Sequence, residues 1–421
     1  MSTTAPKDKS QLAFSYIGFR FFWLTTLSVS FAVQIMSVSI AWQIYDVTGS
    51  AFLLGLVGLS LFAPALILLL VTGLAADRFN RRLIMTICLG VELACALGFL
   101  AFANARAHEV WPIFAILVAL GTARAFWNPA AQSLAPNLVP PGALANAITV
   151  NASAWQFASI MGPAAGGLLY GMAPTVAFGT GAALLAIAMV CVVLIPKPVQ
   201  RESHQATSIE TMLAGFRYIF SNKVVLGAIS LDMFAVLMGG AVALLPIYAK
   251  DILHAGPQEL GLLRAGPGIG AIVMAVLLTR FPIRDHAGKT LFLFVGLFGA
   301  FTVLFGFSTS VWVSIPALAL VGACDMVSVT IRETIMQLWT PEEVRGRVNA
   351  VNSVFIGASN ELGEFRAGTV ASLIGPVPAV VIGGFGSILI AVVWSRIFPG
   401  LREQKTLDKK MVQDAPLAGS A

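Results

Sequence analysis

Apolar stretches of about 20 residues, separated by short polar breaks, repeat along the whole sequence. That is the length a helix needs to cross a hydrocarbon core of about 30 Å. Twelve such runs can be read, at 21–45, 51–74, 83–104, 111–134, 148–170, 174–195, 224–248, 258–280, 290–307, 311–334, 349–374 and 377–398. The third and ninth are the least clean. No cleavable leader is expected, because the N-terminal MSTTAPKDKS is polar and the first apolar run is too long and lacks a small-residue cleavage site.

Composition excludes most alternatives. Only 11% of the 421 residues are charged and 57% are hydrophobic, whereas a soluble chain carries about 25% charged residues. Too little polar surface remains for a soluble enzyme, a nucleic-acid-binding protein or a disordered chain. Cys88, Cys95, Cys191 and Cys324 all lie in apolar runs without zinc-like spacing, so they read as small buried residues. His108, His204, His254 and His286 fall in predicted loops, and no metal site is expected within the membrane.

Charge sets the expected orientation. With the N-terminus in the cytoplasm, 20 of the 26 Lys and Arg residues fall in inner segments, and only Arg106 and Lys250 fall in outer loops. This is a strong positive-inside pattern, with both termini expected in the cytoplasm. It also accounts for the net charge of +6 without nucleic acid.

The longest polar connection, 196–223, separates six runs from six. The expected organisation is therefore a bundle over 1–195, a cytoplasmic linker over 196–223 and a second bundle over 224–421. In the linker, Ile209, Met212, Leu213, Phe216 and Ile219 have the spacing of an amphipathic helix, Ser208 to Phe220, at the inner interface. An offset of 201 aligns Gly121 with Gly322, Pro140 with Pro341, Val150 with Val351, Asn151 with Asn352 and Gly162 with Gly363. Six plus six spans in parallel repeats is the pattern of one large transporter class.

The loop after the second run reads GLAADRFNRR, from Gly73 to Arg82. Asp77 can accept hydrogen bonds from a helix N-terminus or an arginine, and Arg78, Arg81 and Arg82 can pair with carboxylates or lipid phosphates. A purely topological role for these charges is the competing reading. In the fifth run, GPAAGG places Gly162, Pro163, Gly166 and Gly167 where small residues allow close helix approach and proline permits a kink.

The loop resembles the G-x-x-x-D-R-x-G-R-R motif of the major facilitator superfamily. Asn80 replaces its later glycine, and asparagine tolerates left-handed backbone. GPAAGG in span five is similar to the glycine-proline motif of that superfamily's exporters. WQIYDVTGSAFLLGLVGL (42–59), WNPAAQSLAPNLVP (127–140), TPEEVRGRVNAV (340–351) and NELGEFRAGTVA (360–371) strengthen the likeness to its drug-and-siderophore exporter branch, over about residues 14 to 400. The resemblance implies an all-α membrane fold of twelve helices in two pseudo-symmetric six-helix bundles, moving by alternating access. Spans one, four, seven and ten would line a cavity, and two, five, eight and eleven would form the bundle interface. The loop from Gly73 to Arg82 would act as a gate.

Ionisable groups inside a membrane span are costly and by default functional. They are Glu92, Arg124, Asp232, Arg264, Asp325, Arg332, Glu333, Glu361, Glu364 and Arg366. Arg332 and Glu333 sit near an inner end, where snorkelling or local pairing explains them as well as function does. Glu92 reads as an inter-helix hydrogen bonder or a transport residue. Arg124, Asp232 and Asp325 fall in spans four, seven and ten. Helix rise puts Arg124 about 20 Å from the outer end of its span and Asp232 about 12 Å from the inner end of its own. The 201 offset maps Arg124 onto Asp325, so a facing pair is expected, with Asp232 as rival partner and a static ion pair as the bland reading. Gln34, Trp127, Asn128 and Ser328 complete the expected polar cavity. Asn360 and Glu364 share a face in span eleven. Glu361 or Glu364 is a candidate for proton coupling, with gate hydrogen bonding an equal alternative.

No G-x-x-x-x-G-K-[ST] loop is present for ATP drive, and no hydrolytic constellation lies at membrane depth. The chain therefore reads as a transporter rather than an enzyme. It would export an amphipathic small molecule carrying negative or hydrogen-bond-accepting groups, such as a catecholate siderophore. It would exchange that cargo for protons as a monomer in the lipid bilayer, with no cofactor beyond the proton gradient and no nucleic-acid partner. A lysophospholipid or lipid flippase is one rival. A non-transporting receptor is another, weakened by the lack of a sizeable soluble domain.

Overall fold

The computed structural model describes residues 12–105, 109–196, 209–283 and 285–405. His108, His204, residues 197–208 of the linker and both charged tails lie outside these ranges, as do the side chains of Asp77, Ile209, Met212 and Leu213.

Helices account for nearly all the described residues. They are α1 (Ile17–Thr48), α2 (Ala51–Ile67), α3 (Leu69–Arg78), α4 (Arg81–Ala105), α5 (Trp111–Leu134), α6 (Pro141–Met172), α7 (Pro174–Leu194), α8 (Ile209–Ser221) and α9 (Lys223–Gly239). They continue with the short α10 (Leu245–Ile247), then α11 (Pro257–Arg280), α12 (Ala287–Gly306), α13 (Val311–Trp339), α14 (Glu342–Ile374), α15 (Pro376–Ile397) and α16 (Pro399–Arg402).

Among the described residues, nine helical stretches are long and apolar enough to cross a membrane. The other three expected runs are also helical. The second is cut into α2 and α3 at Leu68, one turn after Pro64, and α2 alone has only 17 residues. The fifth and eleventh lie in α6 and α14, long helices with more small and polar residues. Such residues suit helix faces that meet protein, because lipid supplies no hydrophobic drive and association rests on close packing.

The seventh run is not one α-helix. Its α9 segment starts at Asn222, whose side chain accepts from the backbone N–H groups of Val224 and Val225 at 3.0 and 3.2 Å. It stops at Gly240, whose φ of +38° lies in the left-handed region that glycine enters freely. A 3₁₀ turn (Ala241–Leu244), α10 and a π-helical turn (Tyr248–Ile252) follow.

Two compact units result. Unit 1 comprises Met1–Gly49, Ser60–Thr207 and Ala255–Ala265, and unit 2 comprises Ser50–Leu59, Ser208–His254 and Gly266–Ala421. The linker thus parts most of the chain, but segments 50–59 and 255–265 each pack with the unit lying across it in sequence.

Within each unit the helices pair by one scheme. In unit 1, α1 packs on α6 and α7, and α4 packs on α5 and α7. In unit 2, α9 packs on α14 and α15, and α12 packs on α13 and α15. Each unit 2 pair is its unit 1 counterpart moved on by six spans. The landmark residues repeat as well. A side chain at Gly121 would overlap the backbone of Leu61 in span two, and one at Gly322 would overlap the backbone of Pro267 in span eight. Pro140 and Pro341 precede the first turns of α6 and α14. Trp111 and Trp312, also 201 apart, start α5 and α13 and are largely exposed, as interfacial tryptophans are.

Exposed Ile67, Trp312 and Leu373 illustrate a surface rich in large apolar side chains. Four free cysteines are buried. α8 is the helix expected at the linker. Its Ile219 is buried and its Phe216 packs in a cluster with Val225, Ile229, Met336, Val348 and Val351.

Candidate transport sites

At the loop from Gly73 to Arg82, Gly73, Asp77 and Arg78 complete α3, and Arg81 and Arg82 open α4. Asn80 is not left-handed. Its Oδ1 accepts from the N–H groups of Arg82 and Leu83 at 3.0 and 3.4 Å, so it caps α4 instead of turning the chain as glycine would. Arg81 and Arg82 bind backbone carbonyls, where the sequence suggested carboxylates or lipid phosphates. Arg81 is buried. Its Nε donates to the Ala76 carbonyl at 3.3 Å and its Nη1 to Ser133 at 2.9 Å, in the last turn of α5. Arg82 donates to Ile195 at 2.7 Å and to Val193, at the end of α7. Both donate to carbonyls at helix C-termini, where the macrodipole also favours a cation. Arg78 is exposed.

The GPAAGG segment works through size. α6 continues through Pro163, and Gly162 lies so close to Gln34 of α1 that an added Cβ would sit 2.5 Å from its Cβ. Gly166 meets the backbone of Ile35, and Gly167 meets that of Pro257 and Gly261 within the same unit. Gln34 thus packs at its base against α6. On α5, Trp127 is buried, Arg124 is half-buried and Asn128 is exposed, so these three do not share one environment. Glu92 of α4 is 1% exposed and within electrostatic reach of Arg124.

Asp232 of α9 forms a salt bridge with Arg332 of α13, Oδ2 to Nη1, at 2.6 Å. Arg332 Nε also donates to Ser328 Oγ at 3.2 Å. Arg332 is therefore an internal partner and does not snorkel, and Ser328 is buried as its acceptor. Glu333 accepts from Asn352 of α14 at 3.4 Å. Asp325 lies in the fields of Arg332 and Asp232, both in its own unit.

Unit 2 also contains a partly open cavity of about 190 Å³, bordered by Asp325 of α13 and by Asn360 and Glu364 of α14. Phe298, Thr302 and Phe305 of α12 and the Gly239–Gly240 break of α9 are also part of its wall. Asp325, expected in the substrate cavity, and Glu364, expected in coupling, thus share one space. Glu361 faces a different gap: a Cβ on Gly58 would overlap its Oε2 and lie 3.4 Å from Oε2 of Glu364. The two carboxylates converge on the room that glycine leaves.

Arg366 is one of the intramembrane charges to which the sequence assigned no role. Its Nε donates to the Leu237 carbonyl at 2.9 Å and its Nη2 to Met238. These carbonyls belong to the last turn of α9, so Arg366 caps the broken helix from α14. Among the described residues no group of three or more His, Cys, Asp or Glu side chains is arranged to hold a metal.

The family described as transmembrane secretion effector matches residues 10–418. The enterobactin exporter EntS of Shigella boydii serotype 4 (strain Sb227) is 27% identical over 402 residues, covering 91% of this chain and 92% of that protein. The enterobactin exporter EntS of Escherichia coli (strain SMS-3-5 / SECEC) is 26% identical over 411 residues, covering 94% and 95%. A crystal structure of a bacterial homologue of the iron transporter ferroportin, in an inward-facing state, matches with a TM-score of 0.67 and 16% identity, covering 92% of this chain and 99% of that one. A POT family transporter in complex with a thioalcohol-conjugated peptide matches at 0.71 and 11%, covering 91% and 96%. At these identities the structures show the fold alone.

Proposed function

We propose that this chain, which belongs to the transmembrane secretion effector family of the major facilitator superfamily, exports a siderophore-like amphipathic molecule in exchange for protons. It is a multi-pass membrane transporter and not an enzyme. The cargo carries negative or hydrogen-bond-accepting groups, the protein works as a monomer by alternating access, and both termini lie in the cytoplasm of a bacterial inner membrane. The proton gradient takes the place of a cofactor.

One observation carries the coupling part of this reading: Glu361 and Glu364 converge at Gly58, and Glu364 also borders the cavity that holds Asp325. Two carboxylates close together repel unless a proton is shared or bound. Proton binding at this pair therefore changes the charge on the wall of that cavity, which links protonation to the affinity for cargo. The relatives named as enterobactin exporters support the choice of cargo.

The test is enterobactin accumulation in everted membrane vesicles with an imposed pH gradient. Wild-type protein accumulates enterobactin only while the gradient lasts. Glu361→Gln and Glu364→Gln still bind enterobactin, and at least one no longer accumulates it. Gradient-driven accumulation by both variants would place the coupling site elsewhere, with Asp232 next to be tested.

A further inference from the structure

We propose that Glu92 is the internal counter-charge of Arg124, and that it takes up one proton when an anionic group engages that arginine. The proposal rests on the siderophore-like cargo proposed above, with negative groups among those it carries.

Glu92 sits near the middle of α4, 1% exposed, and neither of its carboxylate oxygens accepts a hydrogen bond. Acids so enclosed are nearly always supplied with donors. The groups around it offer little. Cys88 and Cys95 lie one turn to either side on α4, and the Cys95 thiol is directed to the Ile116 carbonyl at 3.7 Å. α7, packed on the same helix, carries no charged side chain and a single thiol, Cys191. The charges of α3, Asp77 and Arg78, are in its last turn, before α4 begins. The cation whose field reaches Glu92 is Arg124 of α5.

Arg124 is half-buried and Glu92 is enclosed, so an approaching anion meets the arginine first. While Arg124 serves Glu92, the two charges offset each other. Once an anion occupies the guanidinium, Glu92 would be a bare carboxylate in a dry setting, which is far costlier than the neutral acid. The balance is then one proton moved from solvent to a Glu92 oxygen for each anion bound at Arg124, with no net change in charge. Proton and anion bind together here, which is opposite in sign to exchange. The exchanged proton therefore belongs to a separate site, and Glu92 instead sets how much net charge moves with the cargo.

The experiment uses purified full-length protein and 2,3-dihydroxybenzoate, a catechol bearing one carboxylate. Calorimetry in buffers of different ionisation enthalpy counts protons taken up per molecule bound. Wild type takes up about one, Glu92→Gln binds the probe with uptake near zero, and Glu92→Asp restores uptake. Unchanged uptake in Glu92→Gln overturns this inference and leaves the proposed cargo standing. If wild type does not bind the probe, the anionic-cargo reading falls too. Should Glu92→Gln fail to fold, infrared difference spectra of wild type decide. Binding must add the carbonyl band of a protonated carboxylic acid, and its absence overturns the proposal.

Discussion

Asp232 and Arg332 meet at 2.6 Å, tying α9 to α13 with side chains only 10% and 8% exposed. Removing one member of a buried ion pair strands the other charge, at a cost of about 3–5 kcal/mol. Replacing both with apolar residues of similar size is often neutral. Arg332→Met should therefore destabilise the protein by that amount in detergent, and Arg332→Met with Asp232→Leu should recover most of the loss. A double-mutant cycle on thermal or denaturant unfolding checks this. Strictly additive effects would mean that the contact contributes no coupling.

Two glycines of unit 2 should respond differently to alanine. At Gly322 the obstacle is the backbone of Pro267, which cannot yield without moving α11. At Gly58 it is the end of a flexible glutamate side chain. Gly322→Ala should cost at least the 1–3 kcal/mol typical of overpacking. Gly58→Ala should leave unfolding nearly unchanged but displace the Glu361 carboxylate and weaken gradient-driven accumulation. Unfolding midpoints set beside vesicle transport test both halves of the comparison.

Single cysteines can report the orientation proposed here. Placed at positions 108 and 254 they should react with an impermeant thiol reagent from outside, and at 80 and 204 only after the inner face is opened. The native thiols are all buried, so background labelling should be low. The reverse pattern would invert the proposed topology.

The apolar runs and the 201-residue offset were legible because hydrophobic length and glycine at close contacts leave marks in sequence. Tertiary partners left fewer. Arg332 reads as terminal because the apolar run stops at the charges near 334, but α13 continues to Trp339 and carries the arginine about two turns inside its end. Its partner is 100 residues away on another helix, with no local signal joining the two. The carbonyls to which Arg81 and Arg82 donate have no side-chain signature at all. The break after α9 did leave one, the Gly239–Gly240 pair followed by Pro246, which the continuous apolar run obscured.

That break fixes how the seventh span can be turned about its own axis. Wherever a helix opens within hydrocarbon, the released carbonyls must meet donors, or each costs free energy that lipid cannot return. Leu237 and Met238 find theirs in Arg366, and Gly240 lies against the backbone of Gly363. The opened side is therefore committed to α14. Rotating α9 toward lipid would bare those carbonyls and leave a guanidinium without its acceptors. In any motion the protein makes, this part of α9 and α14 should travel as a single piece.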